Sequence, residues 1–198
     1  RVVTIIQSAG KVTTQAERDP EHFDICVVGH LRDVKDPLLT ARAVRNLPAS
    51  SRIRVLHAGG ILDSKYAGLV AREEKENPRY HWLGELSESE TASLIASCDL
   101  MALTSHSEGG ARVVGESIVQ GTPVISTGID CIAGLLGDNY PGLIPVGDAD
   151  ALGTLIVRCE NDQEFYEELK SETSRFEARS SPEKEQDAVL SLINRLEV

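Results

Sequence analysis

Residues 99–127 read DLMALTSHSEGGARVVGESIVQGTPVIST, and the order of events within them decides the fold class. Asp99 to Thr104 is an apolar run with strand character. Gly109 and Gly110 follow a short polar stretch, and Gly110 to Gln120 then carries Val113, Val114, Ile118 and Val119 at helical spacing. Pro123 to Thr127 is a second apolar run. Strand, glycine turn, helix and strand in this order make a βαβ unit.

The same alternation extends outward in both directions. Toward the N-terminus it predicts strands at Val2 to Ile6, Ile25 to Gly29, Ile53 to Ala58 and Tyr80 to Leu83. Helices are predicted at Pro37 to Leu47, near 63–76, and after Ser87, where Ser87 and Glu90 form a capping box. Toward the C-terminus a last strand is predicted at Leu143 to Val146, with helices near 150–159, 162–177 and 183–196. Strands alternating with helices predict the α/β class, a Rossmann-like, doubly wound parallel sheet covered on both faces. With no internal repeat and no linker, residues 1–198 read as one domain whose last segment, 178–198, is a closing helix.

Composition narrows the function classes. The 198 residues hold 31 acidic and 20 basic side chains, a formal charge of −11. That balance argues against a nucleic-acid partner or an anionic membrane surface, since both demand a basic face. No run of 18 apolar residues exists, so no transmembrane segment is expected. Cys26, Cys98, Cys131 and Cys159 have neither zinc-ribbon nor CxxC spacing, and a reducing, cytoplasmic compartment is the simplest expectation. The chain opens on Arg1 and its one methionine is Met101, which suggests a piece excised from a longer polypeptide.

In doubly wound sheets, ligands bind where strands end and helices begin. Four loops therefore carry the search: 29–37, 59–65, 104–112 and 127–132. The first, GHLRDVKDP, offers His30, Arg32 and Lys35 either as an anion clamp or as a solvated turn, with Arg32 and Lys35 paired to Asp33 and Asp36. In the third, Gly109, Gly110 and Ala111 open a helix whose free N–H groups suit a phosphate or sugar hydroxyls. Glu116 lies among apolar residues on that helix and needs partners, either ribose hydroxyls or an i,i+4 ion pair with Arg112. His81 and Trp82 could flank a planar base, although a lone Trp is more often core. His57 reads as a satisfied interior histidine, and His106 as a loop residue at the edge of the glycine turn. Walker, GxGxxG, HExxH, GxSxG and EF-hand patterns are all missing.

The ordered set GHLRDVKDP, a strand ending in AGG, RYHWLGEL, SEGGARVVGES and GTPVIST resembles the donor-binding half of the group 1 (family 4) glycosyltransferases. These have the two-domain GT-B fold, and the resemblance covers nearly the whole chain. Its most specific element is Glu108 and Glu116 with seven residues between them, followed by Gly121 to Val124. The resemblance implies a nucleotide-sugar donor, most often a UDP-sugar, and retaining transfer with no metal and no cofactor. Lys35, Glu108 and Arg32 would be the catalytic set. Gly29, His30, Gly109, Gly110, Ala111 and Glu116 would bind phosphate, sugar and ribose, and the backbone of His81, Trp82 and Leu83 would read the base. Departures are His30 for arginine, Gly110 for an aromatic, Ala111 for glycine and Ser117 for alanine, and DCIAGLLG lacks a customary glutamate. The segments GHLRDVKDP, NPRYHWLGEL, EGGARVV and LLGDNYPG look closest to the selenosugar synthases of selenoneine biosynthesis.

The implied partner is an N-terminal acceptor domain of the same polypeptide, without which the fragment would turn over little. Two other classes stay open, a GT-B nucleotide-sugar 2-epimerase and a noncatalytic nucleotide-sugar-binding module. The charge of −11 is unevenly spread. Residues 159–198 hold 11 acids and 5 bases, whereas residues 25–57 hold 6 bases and 2 acids. The donor reading expects this basic island to face the helix start at Gly109.

Overall fold

A computed structural model describes residues 9–12, 17–177 and 182–196. The expected strand at Val2 to Ile6 lies outside the described residues. Six strands follow: β1 (Phe23–Val28), β2 (Ile53–Ala58), β3 (Tyr80–Gly84), β4 (Leu100–Leu103), β5 (Val124–Thr127) and β6 (Leu143–Ile144). They form one sheet in the order β3-β2-β1-β4-β5-β6, and every pair is parallel. This is the doubly wound Rossmann-like order, with the chain reversing its direction of travel between β1 and β4.

The burial pattern explains why the strands sit there. Five of six β1 residues and all of β4 and β5 are buried, so side chains pointing to either face are covered. Ile25, Leu100, Met101 and Ile125 are fully inaccessible, and burying each is worth about 2 kcal/mol. The edge strand β3 instead alternates between buried and more exposed residues. Cys26 and Cys98 are fully buried, as apolar side chains of their size would be.

Among the described residues there are eight α-helices: α1 (Leu39–Val44), α2 (Lys65–Glu76), α3 (Glu88–Ser97), α4 (Arg112–Gln120), α5 (Asp130–Leu136), α6 (Ala149–Asn161), α7 (Gln163–Ser174) and α8 (Pro182–Leu196). Helix α1 packs on α6, α3 on α4, and α7 on both α4 and β5. The capping box forms as the sequence predicts, with the Glu90 amide donating to Ser87 Oγ and the Ser87 amide to Glu90 Oε2. Asp148 and Asp162 cap α6 and α7 through the amides of Ala151 and Phe165.

Three helices differ from expectation, and the last strand, β6, ends at Ile144 rather than Val146. Helix α1 is shorter than Pro37 to Leu47, because Leu38 is its N-cap and the chain turns before Pro48. Helix α4 begins at Arg112, not Gly110; Ala111 is its N-cap and makes no side-chain capping bond. Helix α5 was not expected from DCIAGLLG, yet Ile132, Leu135 and Leu136 are buried at helical spacing despite Gly134. Among the described residues no helix is long and apolar enough to cross a membrane.

Candidate functional site

The loops after β1 and β4 rise on either side of the point where strand order reverses, and side chains lace them together. Thr104 Oγ1 donates to the carbonyls of Lys35 and Asp36 at 2.9 and 3.1 Å. The His106 amide donates to Val34 O at 2.8 Å. Further along the rim, Thr127 Oγ1 donates to Ser105 O at 2.6 Å, His57 Nε2 to Gly29 O at 3.0 Å and Trp82 Nε1 to Gly59 O at 2.9 Å.

Between these loops lies a cleft of 410 Å³. Of the sequence-predicted residues, Gly29, His30, Lys35, Glu108, Gly110, Ala111 and Glu116 line it together. A second cavity of 1210 Å³ shares Glu108, Gly110, Ala111 and Arg112 with the first and continues past Gly109 to Asp130 and Cys131. The glycine turn is therefore the common wall of both spaces.

Lys35 and Glu108 meet across this wall. Lys35 Nζ and Ser105 Oγ both donate to Glu108 Oε1, each at 2.5 Å. The two ion-paired side chains are only 18% and 11% exposed, so the bridge is largely screened from water. The rest of the first loop is held from outside. Asp33 accepts from Tyr66 Oη at 2.9 Å and pairs with Lys65, and these two contacts hold its carboxyl below its ordinary range. Asp36 takes a bidentate bond from Arg42. The solvated-turn reading, in which Arg32 and Lys35 neutralise Asp33 and Asp36, is thus not what forms.

Glu116 keeps both partners in play. Arg112 Nε lies 2.9 Å from Glu116 Oε1, the i,i+4 pair that the spacing allows, yet the carboxylate still lines the cleft. Burial raises its pKa, and Arg112 opposes that rise. Arg112 Nη2 also reaches Glu88 Oε1 at 3.0 Å, so it spans the cleft mouth from α4 to α3.

Several expected residues fall elsewhere. Arg32 is exposed and lines neither cavity, because Leu31 beside it is fully buried and bridged to Ile61, which turns the next side chain outward. His81, Trp82 and Leu83 do not line the cleft, since their strand is committed to pairing with β2. The wall there is built one turn later, after Gly84 at φ 72°, by Glu85, Leu86, Glu88 and Thr91. The four-loop search omits this fifth strand-to-helix loop, although the capping box at Ser87 marks where it ends. The basic island also behaves differently from expectation. Arg42, Arg45 and Arg54 are paired to Asp36, Glu73 and Asp24, and Arg52 donates to Pro20 O. Lys35 alone of the six reaches the cleft.

The family model for glycosyl transferases group 1 matches residues 12–176. The chain belongs to this family. Its D-inositol 3-phosphate glycosyltransferase relatives from Mycobacterium bovis and Mycobacterium tuberculosis are 29% identical over 181 residues, which is 86% of this chain. The chain spans 37% of their length. Among solved structures, Anabaena HepE in complex with UDP and glucose matches with a TM-score of 0.75 at 22% identity, covering 89% of this chain and 48% of that one. Sucrose-phosphate synthase from Thermosynechococcus elongatus gives 0.75 at 21%, covering 89% and 46%. The pneumococcal O-GlcNAc transferase GtfA with UDP and GlcNAc gives 0.71 at 18%, covering 98% and 38%. These likenesses show the fold of this group 1 domain, a parallel Rossmann-like sheet with flanking helices that matches GT-B glycosyltransferase neighbours.

The group 1 domain also carries a buried titratable residue beneath its cleft. His57 is fully inaccessible, and burial holds its pKa down to about 4, partly offset by the bond to Gly29 O. The unfolded state, with an ordinary imidazole, takes up a proton below about pH 6.5, whereas the folded state takes one up only near pH 4. Stability is therefore complete above pH 6.5 and falls as pH drops through this window, by about 3 kcal/mol in total. Denaturant titrations of wild type and His57→Gln between pH 7 and 4 should show this extra loss in wild type only. Equal pH dependence of the two proteins would refute it.

Proposed function

We propose that this chain is the donor-binding half of a glycosyltransferase that uses a nucleoside diphosphate sugar, with UDP-sugars preferred. The observation that carries the reading is that Lys35, the start of α4 and Glu116 share one cleft at the strand-order reversal. Lys35 would leave Glu108 for the diphosphate, and the amides of Gly109, Gly110 and Ala111, just ahead of α4, would face the sugar or the β-phosphate. Glu116 would accept from the ribose hydroxyls, and Glu108, released from Lys35, from the sugar. As the bond from the anomeric carbon to the diphosphate breaks, these donors stabilise the departing negative charge in a partly dry site. Transfer would proceed with retention and without a metal, in the cytoplasm, and the acceptor site would come from an N-terminal domain of a longer polypeptide. Two of the structural neighbours named above contain UDP, which supports the base assignment.

Calorimetry of the chain with UDP, GDP and ADP tests the donor reading, and UDP should bind most tightly. Glu116→Gln should weaken UDP about tenfold, the lower end for a hydrogen bond to a charged group. The same variant should bind 2′,3′-dideoxy-UDP as wild type does. If Glu116→Gln leaves the affinity for UDP unchanged, the ribose assignment is wrong. The narrower resemblance to selenosugar synthases names N-acetylglucosamine as the sugar and selenophosphate as the acceptor. Incubation of the longer polypeptide with UDP-N-acetylglucosamine and selenophosphate tests that pairing, and failure to form a glycosyl selenophosphate with release of UDP rejects it.

A further inference from the structure

We propose that His57 is a positioning residue for Lys35, acting through the main chain of Gly29. The inference rests on the diphosphate reading of Lys35 and concerns a residue outside the cleft itself. His57 Nε2 lies 3.0 Å from Gly29 O and Nδ1 lies 2.8 Å from Tyr80 Oη. A carbonyl can only accept, so Nε2 carries the proton and Nδ1 accepts from the tyrosine hydroxyl. Both ring nitrogens are thereby satisfied in one tautomer, inside a strand where a valine would meet every need of the sheet.

The link to Lys35 is geometric. The Gly29 amide donates to Ala58 O at 2.9 Å while its carbonyl accepts from His57, so both polar groups of Gly29 end on β2. A Cβ on Gly29 would stand 3.7 Å from Lys35 Cδ and 3.9 Å from Cγ, so the lysine stem lies directly over this residue. His57 and Lys35 also border one void of 10 Å³ beneath the cleft. A space of that size is at the lower bound for one water, which makes solvent a poor substitute for the missing imidazole donor. Without the Nε2 proton, the Gly29 carbonyl loses its side-chain donor, and its peptide turns to seek another. The seat of the lysine stem turns with it.

The test is a double-mutant cycle on the 198-residue chain, read as UDP affinity by calorimetry. His57→Leu should weaken UDP about tenfold in the wild-type background and less than about twofold in Lys35→Met. His57→Gln, whose amide reaches Gly29 O, should stay within about threefold of wild type, whereas His57→Asn, which is too short, should resemble His57→Leu. The Gln and Asn pair carries the test if the leucine variant does not fold. An equal loss in both backgrounds, or a Gln variant as weak as Asn with circular dichroism unchanged, overturns the inference. If Lys35→Met itself leaves UDP binding intact, it is the donor reading that fails.

Discussion

Replacing Lys35 by methionine is expected to lower UDP affinity about a hundredfold, the upper end for hydrogen bonds to a charged partner. Methionine keeps an apolar stem over Gly29, so the change removes the ammonium and little else. Of the lysines and arginines in the loop after β1, Lys35 is the one that lines the cleft, beside His30. Arg112 is the other cation on its wall, and it is held by Glu88 and Glu116. No neighbouring cation therefore stands ready to replace Lys35. Calorimetry checks the loss, and circular dichroism should show an unchanged fold. A variant that binds UDP within threefold of wild type would sink the assignment of Lys35 to the diphosphate.

Gly59→Ala is expected to be the most damaging single change at the sheet rim. An added Cβ would overlap the Gly29 carbonyl and stand 2.9 Å from the His30 amide nitrogen. Neither side can yield easily. The Gly59 amide donates to Gly84 O at 2.7 Å and its carbonyl accepts from Trp82, while Gly29 is held by Ala58 and His57. Overpacking of this kind costs about 3 kcal/mol, or a fall of ~9 °C in Tm for a chain of this size. UDP binding should weaken as well, since the displaced peptide begins the Lys35 loop. Gly68→Ala is the control: nothing lies within 4 Å of its added Cβ. In the middle of α2 it should raise stability by about 0.5–1 kcal/mol. A Gly59→Ala melting temperature equal to wild type would refute the steric argument.

The parts of the fold that are local in sequence were legible from it. The alternation of apolar runs and helical spacing located six strands, and the capping box located the start of α3. What escaped depends on long-range contacts. Arg32 points away from the cleft because Leu31 is anchored to Ile61, a residue thirty positions away. The basic island is consumed by Glu73, Asp24 and Asp36, and no count of charges along a segment reveals such pairings. The cleft wall at Glu85 to Thr91 carries no local sequence signal beyond the capping box, whereas strand pairing commits the backbone of His81 and Trp82 and Gly84 delivers the next residues over the edge. The spacing of Glu116 allows either a ribose ligand or a partner of Arg112. The ion pair forms, and the carboxylate nonetheless stays on the cleft.

Four of the side-chain ties around the rim share one property, that each ends on a main-chain oxygen. Thr104, Thr127, His57 and Trp82 all donate to carbonyls, those of Lys35 and Asp36, Ser105, Gly29 and Gly59. A carbonyl persists whatever residue carries it. At Asp36 and Ser105 the tie therefore survives a change of side chain, whereas Gly59 has no room for a Cβ. Cleft-lining positions that carry none of these ties, such as Gly110 and Glu85, can change while the donors beneath stay fixed.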